Sequence, residues 1–257
     1  MDRTALLADF DAQMRAAPPP EAGVARVWVP YGAGRVLRTV GAYNFIGWWQ
    51  LTPDTLAEAA EGEAAYFRGL GQEAEWKVFS HDGPPGLERA LAAAGFVAGG
   101  PETFLAIDLT VADLPQPPTE GFSVRRVVDR AGIEDLVVAN GAAFGRAEPW
   151  RADALQPRLS DGSLALYVAY ADDGRPVSSG RLELAPGRDF AGLYGGGTDP
   201  DFRGRGVYRA LVAARAAEAR RLGVRYLTVD ARETSRPILQ RLGFTPLATM
   251  TGWEIGG

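Results

Sequence analysis

The stretch that most limits how this chain can fold runs from Phe190 to Leu222. It opens with Phe190-Ala191-Gly192-Leu193-Tyr194-Gly195-Gly196-Gly197, an apolar run that reads as a strand losing its side chains toward its end. Thr198-Asp199-Pro200-Asp201-Phe202-Arg203-Gly204-Arg205-Gly206 follows as a loop. Val207, Ala210, Leu211, Ala214, Ala217 and Leu222 then recur at helical spacing, and Gly223 supplies a stop. A helix start offers backbone N–H groups without intrahelical partners and a partial positive charge. Gly204 and Gly206 let a ligand come close to those groups. Strand, basic Gly loop and helix in this order predict a pyrophosphate cradle. Two commoner phosphate loops do not fit. A P-loop needs Gly-Lys-Ser/Thr at the helix start, and the only lysine is Lys77. A dinucleotide fingerprint needs a third glycine where Arg209 stands. The plain alternative is a Gly-rich turn leading into a surface helix.

Composition narrows the chemistry. The 257 residues, 46% of them hydrophobic, suffice for one large domain or two small ones. There is no cysteine, which excludes disulfides, thiolate metal sites and a Cys nucleophile. The single histidine, His81, excludes a His-rich zinc site or a Ser-His-Asp triad in the C-terminal half, and no metal is expected. No apolar run approaches the roughly 20 residues of a membrane span. Asp2, Asp9 and Asp11 do not read as a secretory leader, so a cytoplasmic protein is expected. Residues 1–115 carry 8 basic and 15 acidic side chains, residues 116–257 carry 19 and 17. The more cationic half is the one with the Gly loop, as a polyanionic ligand favours, and the acidic half suits a cationic substrate. Neither nucleic acid nor a membrane is an expected partner; a monomer and a homodimer are both open.

Along the chain, residues 4–16 read as an amphipathic helix stopped by Pro18-Pro19-Pro20. Strands are expected at 26–30, within 35–49, at 75–80 and within 96–109. A helix capped by Thr52-Pro53 runs to about Arg68 with Gly69 as its end, and a short one spans 85–94. Leu114-Pro115-Gln116-Pro117-Pro118-Thr119-Glu120 reads as a linker. Beyond it, strands are expected at 122–127, 164–170, 176–184, 225–230 and 245–255. Helices are expected at 130–144 and 235–242, with 151–159 a further candidate. The stretch Trp76 to Phe96 also parallels Tyr226 to Phe244: strand, short helix, then Gly-Phe.

Arg203-Gly204-Arg205-Gly206-Val207-Tyr208, with Thr198-x-Pro200 before it, resembles the R/Q-x-x-G-x-G/A acyl-CoA loop of the GNAT N-acetyltransferase superfamily. Tyr208 departs from it, standing where Gly or Ala is usual. Leu242-Gly243-Phe244 and Ala94-Gly95-Phe96 both resemble the family's closing motif. The resemblance implies an α+β (mixed α/β) fold of two GNAT-like domains, each a central, mostly antiparallel mixed sheet flanked by helices. Residues 1–114 are then a degenerate copy, 115–120 a Pro-rich linker and 121–257 the catalytic domain. It implies acetyl-CoA as cosubstrate, held by Gly196, Gly197, Thr198, Arg203, Gly204, Arg205, Gly206, Val207, Tyr208 and Ser235. It implies direct attack by an amine of a small molecule or peptide, with backbone N–H groups at the strand end polarising the thioester.

The proton acceptor is open between Glu183, which alternation puts on one face with Arg181, and Asp230. Glu148 and Trp150 lie in a segment resembling the family's substrate-side loop and are candidates for amine binding. The family's usual acid is a tyrosine in L-Y-x-K-L-G-F; here Leu239 stands in that place, with Tyr194, Tyr208 and Tyr226 as alternatives. Two rival readings stay open: a non-catalytic acyl-CoA sensor, and an interaction module whose Gly loop is only a turn.

Overall fold

The structure, a computed structural model, describes residues 2–21, 23–115, 117, 119–146 and 151–256. These form twelve strands and seven α-helices. They divide into two compact units, Met1–Phe104 with Ala231–Glu233 and Pro246–Gly257, and Leu105–Asp230 with Thr234–Thr245.

In the first unit, α1 (Arg3–Phe10) starts at Asp2, whose carboxylate accepts from the N–H groups of Thr4 and Ala5. Leu6 and Phe10 are its buried side, and the helix runs on through a π-type turn, Asp11–Arg15. An antiparallel meander follows: β1 (Val24–Tyr31), β2 (Gly34–Gly41) and β3 (Phe45–Gln50). Thr52 and Thr55 form a capping box around Pro53, and α2 (Leu56–Leu70) leads to β4 (Ala74–Phe79), parallel to β3. The helix runs past the expected stop at Gly69 to Gly71. Gly71 is the residue that turns left-handed (φ 62°), letting its own N–H bond to Arg68 and that of Gln72 to Phe67. The core gathers Val36, Ile46, Trp49, Phe67, Trp76 and Leu91, each worth about 1.5–3 kcal/mol when fully buried. α3 (Leu87–Ala93) and β5 (Val97–Ala98) follow, and the chain passes into the second unit within β6 (Glu102–Asp108).

The second unit continues with β7 (Phe122–Arg126) and α4 (Arg130–Phe144), whose start is capped by Asp129 on the Gly132 N–H. After the short α5 (Arg151–Leu155) come β8 (Leu164–Ala171), β9 (Pro176–Leu184) and β10 (Phe190–Thr198), paired antiparallel with β7 on the outside. β8 is an unbroken apolar run because both its faces are covered. α6 (Val207–Arg221) leads to β11 (Tyr226–Ala231), parallel to β10, and then to α7 (Arg236–Arg241). α4 and α6 cover opposite faces of β9–β10. A Cβ at Gly195 or Gly197 would meet Asn140, Ala143 or Phe144 of α4, and one at Gly180 or Gly196 would meet Arg215 or Tyr208 of α6.

The last strand, β12 (Thr245–Ile255), differs from the sequence expectation that 245–255 close the second domain. It pairs antiparallel with β4, from Met250 opposite Phe79 to Ile255 opposite Ala74, and Ile255 joins the first unit's core. Period-two patterning marks a strand but does not name its partner, so the division at 115–120 differs from the units seen here. Both units repeat one order: an antiparallel meander, a helix, and a strand parallel to the meander's last. No helix among the described residues is long and apolar enough to cross a membrane.

Candidate functional site

The site grows from the way β10 leaves its neighbours. Its parallel ladder with β11 joins Phe190 to Tyr226, Ala191 to Leu227 and Gly192 to Thr228, after which the strands part. On its other side β10 pairs Tyr194 with Arg181 and then Gly197 with Ser179. Gly195 and Gly196 therefore stand opposite the single residue Gly180, a β-bulge that turns consecutive peptide groups out of the ladder. Gly195 is left-handed (φ 58°), a conformation that favours glycine. Asn140 of α4 holds the bulge by donating to the Gly195 carbonyl at 3.3 Å. The Gly197 carbonyl accepts from Ser178 Oγ at 2.6 Å.

Beyond Thr198 the chain makes a 3₁₀ turn, with Asp199 accepting from the Asp201 N–H, and then opens into the Gly loop. Gly204 (φ 78°) and Gly206 (φ 86°) are both left-handed, and nothing lies within 4 Å of where a Gly204 Cβ would be. Gly206 caps α6 without any side-chain hydrogen bond to its first N–H groups. A helix start left without a side-chain cap beside arginines favours an anion, and a Cβ at Gly206 would lie 3.4 Å from the Arg209 guanidinium. Val207 is buried, so it offers the cradle its backbone alone. Arg203 donates to the carbonyls of Thr198 (3.2 Å) and Ala143 (3.3 Å), and so braces the loop against β10 and α4. The guanidinium of Arg205 lies 4.9 Å from the Phe202 ring centre.

Tyr208 turns inward from the first turn of α6. Its ring lies about 3.0 Å from where a Gly196 Cβ would stand, and its hydroxyl bonds to Ser235, the residue before α7. Burial holds the Tyr208 phenol above its ordinary pKa, with Arg215 and Ser235 working the other way. Ser235 and Tyr208 are thus brought together, on the α6 side.

Glu183 and Asp230 lie on the other face. Residues paired across a ladder share a face, and Glu183 is opposite Gly192, as Thr228 is on β11. Phe190 and Tyr226 stack there with ring centres 5.1 Å apart, and Asp230, two residues past Thr228, shares that side. Tyr194 folds its ring back over Gly192. Glu183 lies 3.4 Å from Arg181 Nε, within ion-pair distance but without hydrogen-bond geometry, and 3.9 Å from Arg158. The parting of β10 and β11 is flanked by carboxylates on the α4 face and by the Gly loop on the α6 face. Glu148 and Trp150 lie outside the described residues.

Sequence reasoning missed Arg215. It is 1% exposed and held by its Nε to the Leu211 carbonyl (3.0 Å) and its Nη1 to the Arg181 carbonyl (3.0 Å). Among the described residues its Nη2 has no partner and no carboxylate pairs with it. Burial lowers its pKa to about 10, with the charge of Arg181 adding to the effect and Tyr208 and Tyr167 opposing it. A signal existed: Val207, Leu211 and Arg215 recur every four residues, so a charged residue stands on the apolar stripe of α6.

The corresponding place in the first unit is filled. β3 and β4 pair only at Phe45–Glu75 and Ile46–Trp76, and β3 bulges at Gly47, between Trp48 opposite Leu37 and Ile46 opposite Arg38. Arg15 donates to the Gly47 carbonyl (3.0 Å), and Trp49 stacks edge-on to Trp76 and donates to the Gly83 carbonyl. His81, Asp11 and Asp82 gather there with oxygen and nitrogen atoms within 4.8 Å of one another, but Arg15 takes both carboxylates.

Residues 128–244 match the family model described as Acetyltransferase (GNAT) family. Comparison with curated protein sequences finds no match. Among solved structures, the chain is similar to a GCN5-related N-acetyltransferase from Kribbella flavida, with TM-score 0.70 and 17% identity, covering 99% of this chain and 94% of that one. It is similar to a tandem GNAT protein from the clavulanic acid biosynthesis pathway at TM-score 0.63 and 17% identity, covering 99% and 94%. It is also similar to a GCN5-related N-acetyltransferase from Sphaerobacter thermophilus at TM-score 0.61 and 16% identity, covering 98% and 85%. At these identities the likeness is one of fold.

Proposed function

We propose that this protein, a GNAT-superfamily chain of the tandem type, is an acetyl-CoA-dependent N-acetyltransferase whose second unit carries the reaction. The observation that carries the reading is the start of α6. Two left-handed glycines and an uncapped helix N-terminus adjoin a bulged strand that has parted from its parallel neighbour. These residues fit the pyrophosphate of acetyl-CoA: nothing lies within 4 Å of where a Gly204 Cβ would be, and one at Gly206 would meet the guanidinium of Arg209. When bound, the cosubstrate supplies an activated acetyl thioester.

Gly204, Gly206, Val207 and Tyr208 would hold the phosphates through backbone N–H groups, with Arg205 adding charge. Arg203 keeps the loop in shape through Thr198 and Ala143. The bulge at Gly195–Gly196 turns backbone dipoles toward the developing oxyanion. The amine approaches on the α4 face, where Glu183 and Asp230 flank the parting strands and either accepts its proton directly or through water. Tyr208 and Ser235 close the α6 side against solvent. The acceptor is an amine of a small molecule or peptide. A coupled assay of CoA release from acetyl-CoA over a broad amine panel tests the reading. Acceptor-dependent release that falls with Gly206→Glu supports it; binding of acetyl-CoA with no turnover on any amine would favour a sensor.

A further inference from the structure

A buried arginine is ordinarily matched to a carboxylate, because an unpaired charge away from water is costly. The first unit follows this rule. Buried Arg15 meets Asp11 at 2.7 Å and Asp82 at 2.8 Å, and the fully buried Glu63 is likewise matched, by half-buried Arg38 at 2.7 Å. Arg215 breaks it. Its guanidinium lies flat against the strand bulge, where a Cβ on Gly180 would stand 2.7 Å from Cζ and one on Gly196 would stand 3.5 Å from Nη2. The two glycines thus make room for this cation, and its partners are carbonyl oxygens alone. The charged or titratable groups facing it are Tyr208 on its own helix, Tyr167 on β8 and Arg181 on β9, none of which is an anion at neutral pH.

We propose that Arg215 is a positioning residue whose uncompensated charge, fixed behind the Gly195–Gly196 bulge, stabilises the negative charge of the acyl-CoA sulfur and thioester oxygen at the parting of β10 and β11. It acts through the bulge: Nη1 fixes the Arg181 carbonyl, opposite Tyr194 at the bulge's edge, and the cation raises the positive potential at the N–H groups of the two glycines. A neutral side chain there removes that potential, while Asn140 and Ser178 still hold the Gly195 and Gly197 carbonyls. The inference rests on the acyltransferase reading above and concerns the same site.

The test needs no acceptor. Free CoA is titrated with wild-type protein, Arg215→Lys, Arg215→Met and Arg215→Gln, and the ultraviolet absorbance of the bound thiolate is followed against pH. In the wild type the bound thiol titrates below free CoA. In the two neutral variants it moves up by about one pH unit or more, the scale of a lost opposite charge nearby, while Arg215→Lys restores most of the difference. Two neutral variants are included so that one poorly folding protein does not end the experiment, with calorimetry confirming that each binds CoA. Binding by all four proteins with the same thiol titration would overturn the proposal and leave the acyltransferase reading standing. Failure of the wild-type chain to bind CoA would overturn that reading and the proposal with it.

Discussion

The two units build the same corner and finish it differently. In each, a meander ends in a strand that bulges at glycine and parts from its parallel neighbour after two or three pairs. In the first unit the corner is closed. Gln50, Leu51 and Thr52 lead straight into a helix whose first turn is satisfied by its own threonines, and Arg15 and Trp49 occupy the bulge. In the second, eight residues from Asp199 to Gly206 separate strand and helix, and no side chain caps the helix. The fold alone therefore does not make a ligand site. On the proposed reading, what makes one is leaving a helix start without a side-chain cap and a buried cation without a carboxylate.

The sharpest way to break this comparison is to close the open corner. Gly206→Glu places a side chain in a left-handed position and an anion in the cradle, and acetyl-CoA affinity is expected to fall at least tenfold, about 1.4 kcal/mol, as read by calorimetry. Opening the closed corner is the converse. Arg15→Met strands Asp11 and Asp82 in a nearly buried place, and chemical denaturation is expected to show a loss of about 3–5 kcal/mol with acetyl-CoA affinity of the folded protein unchanged. If Arg15→Met abolished acetyl-CoA binding by folded protein, the units would not be the independent corners described here. Gly180→Ala sets a Cβ 2.7 Å from the Arg215 guanidinium and is expected to cost about 1–3 kcal/mol in denaturation, with no counterpart effect in the first unit.

The smallest effect is on pH. Burial raises the Asp11 carboxyl, but hydrogen bonding from His81 and the Arg15 charge outweigh it, and the net shift is downward. A carboxyl depressed on folding stabilises above its unfolded pKa and loses that contribution as pH falls through the folded one. Thermal melts should therefore weaken below about pH 4, and Asp11→Asn should flatten that slope. An unchanged slope would deny the Asp11–Arg15–His81 cluster a part in holding the closed corner.

Much of this was legible in the sequence, and the exceptions share a cause. The strand, Gly loop and helix from 190 to 222 announced themselves because Gly204, Gly206 and the spacing of Val207, Ala210 and Leu211 are local signals. Thr52-Pro53 marked the α2 start in the same way, while the α2 end was misplaced by two residues because Gly69 and Gly71 look alike until one takes a positive φ. The return of β12 to β4 was not legible, since pairing over so many residues leaves no mark on a strand of its own. Nor was Arg15, whose burial depends on Asp82 and Gly47 arriving from other elements. At the site, the glycines were legible but the division of labour was not. Arg203 reads as a phosphate ligand and also braces the loop, and the spacing that puts Arg215 on the apolar stripe of α6 does not show that Gly180 and Gly196 make room for it.

An open corner in the second unit and a closed one in the first mean a single acetyl-CoA site per chain. A calorimetric titration of the full chain with acetyl-CoA, repeated on Gly206→Glu, counts such sites. One acetyl-CoA per chain, with binding lost in Gly206→Glu, is the expected result. Two sites per chain, or binding that survives Gly206→Glu unchanged, would contradict it.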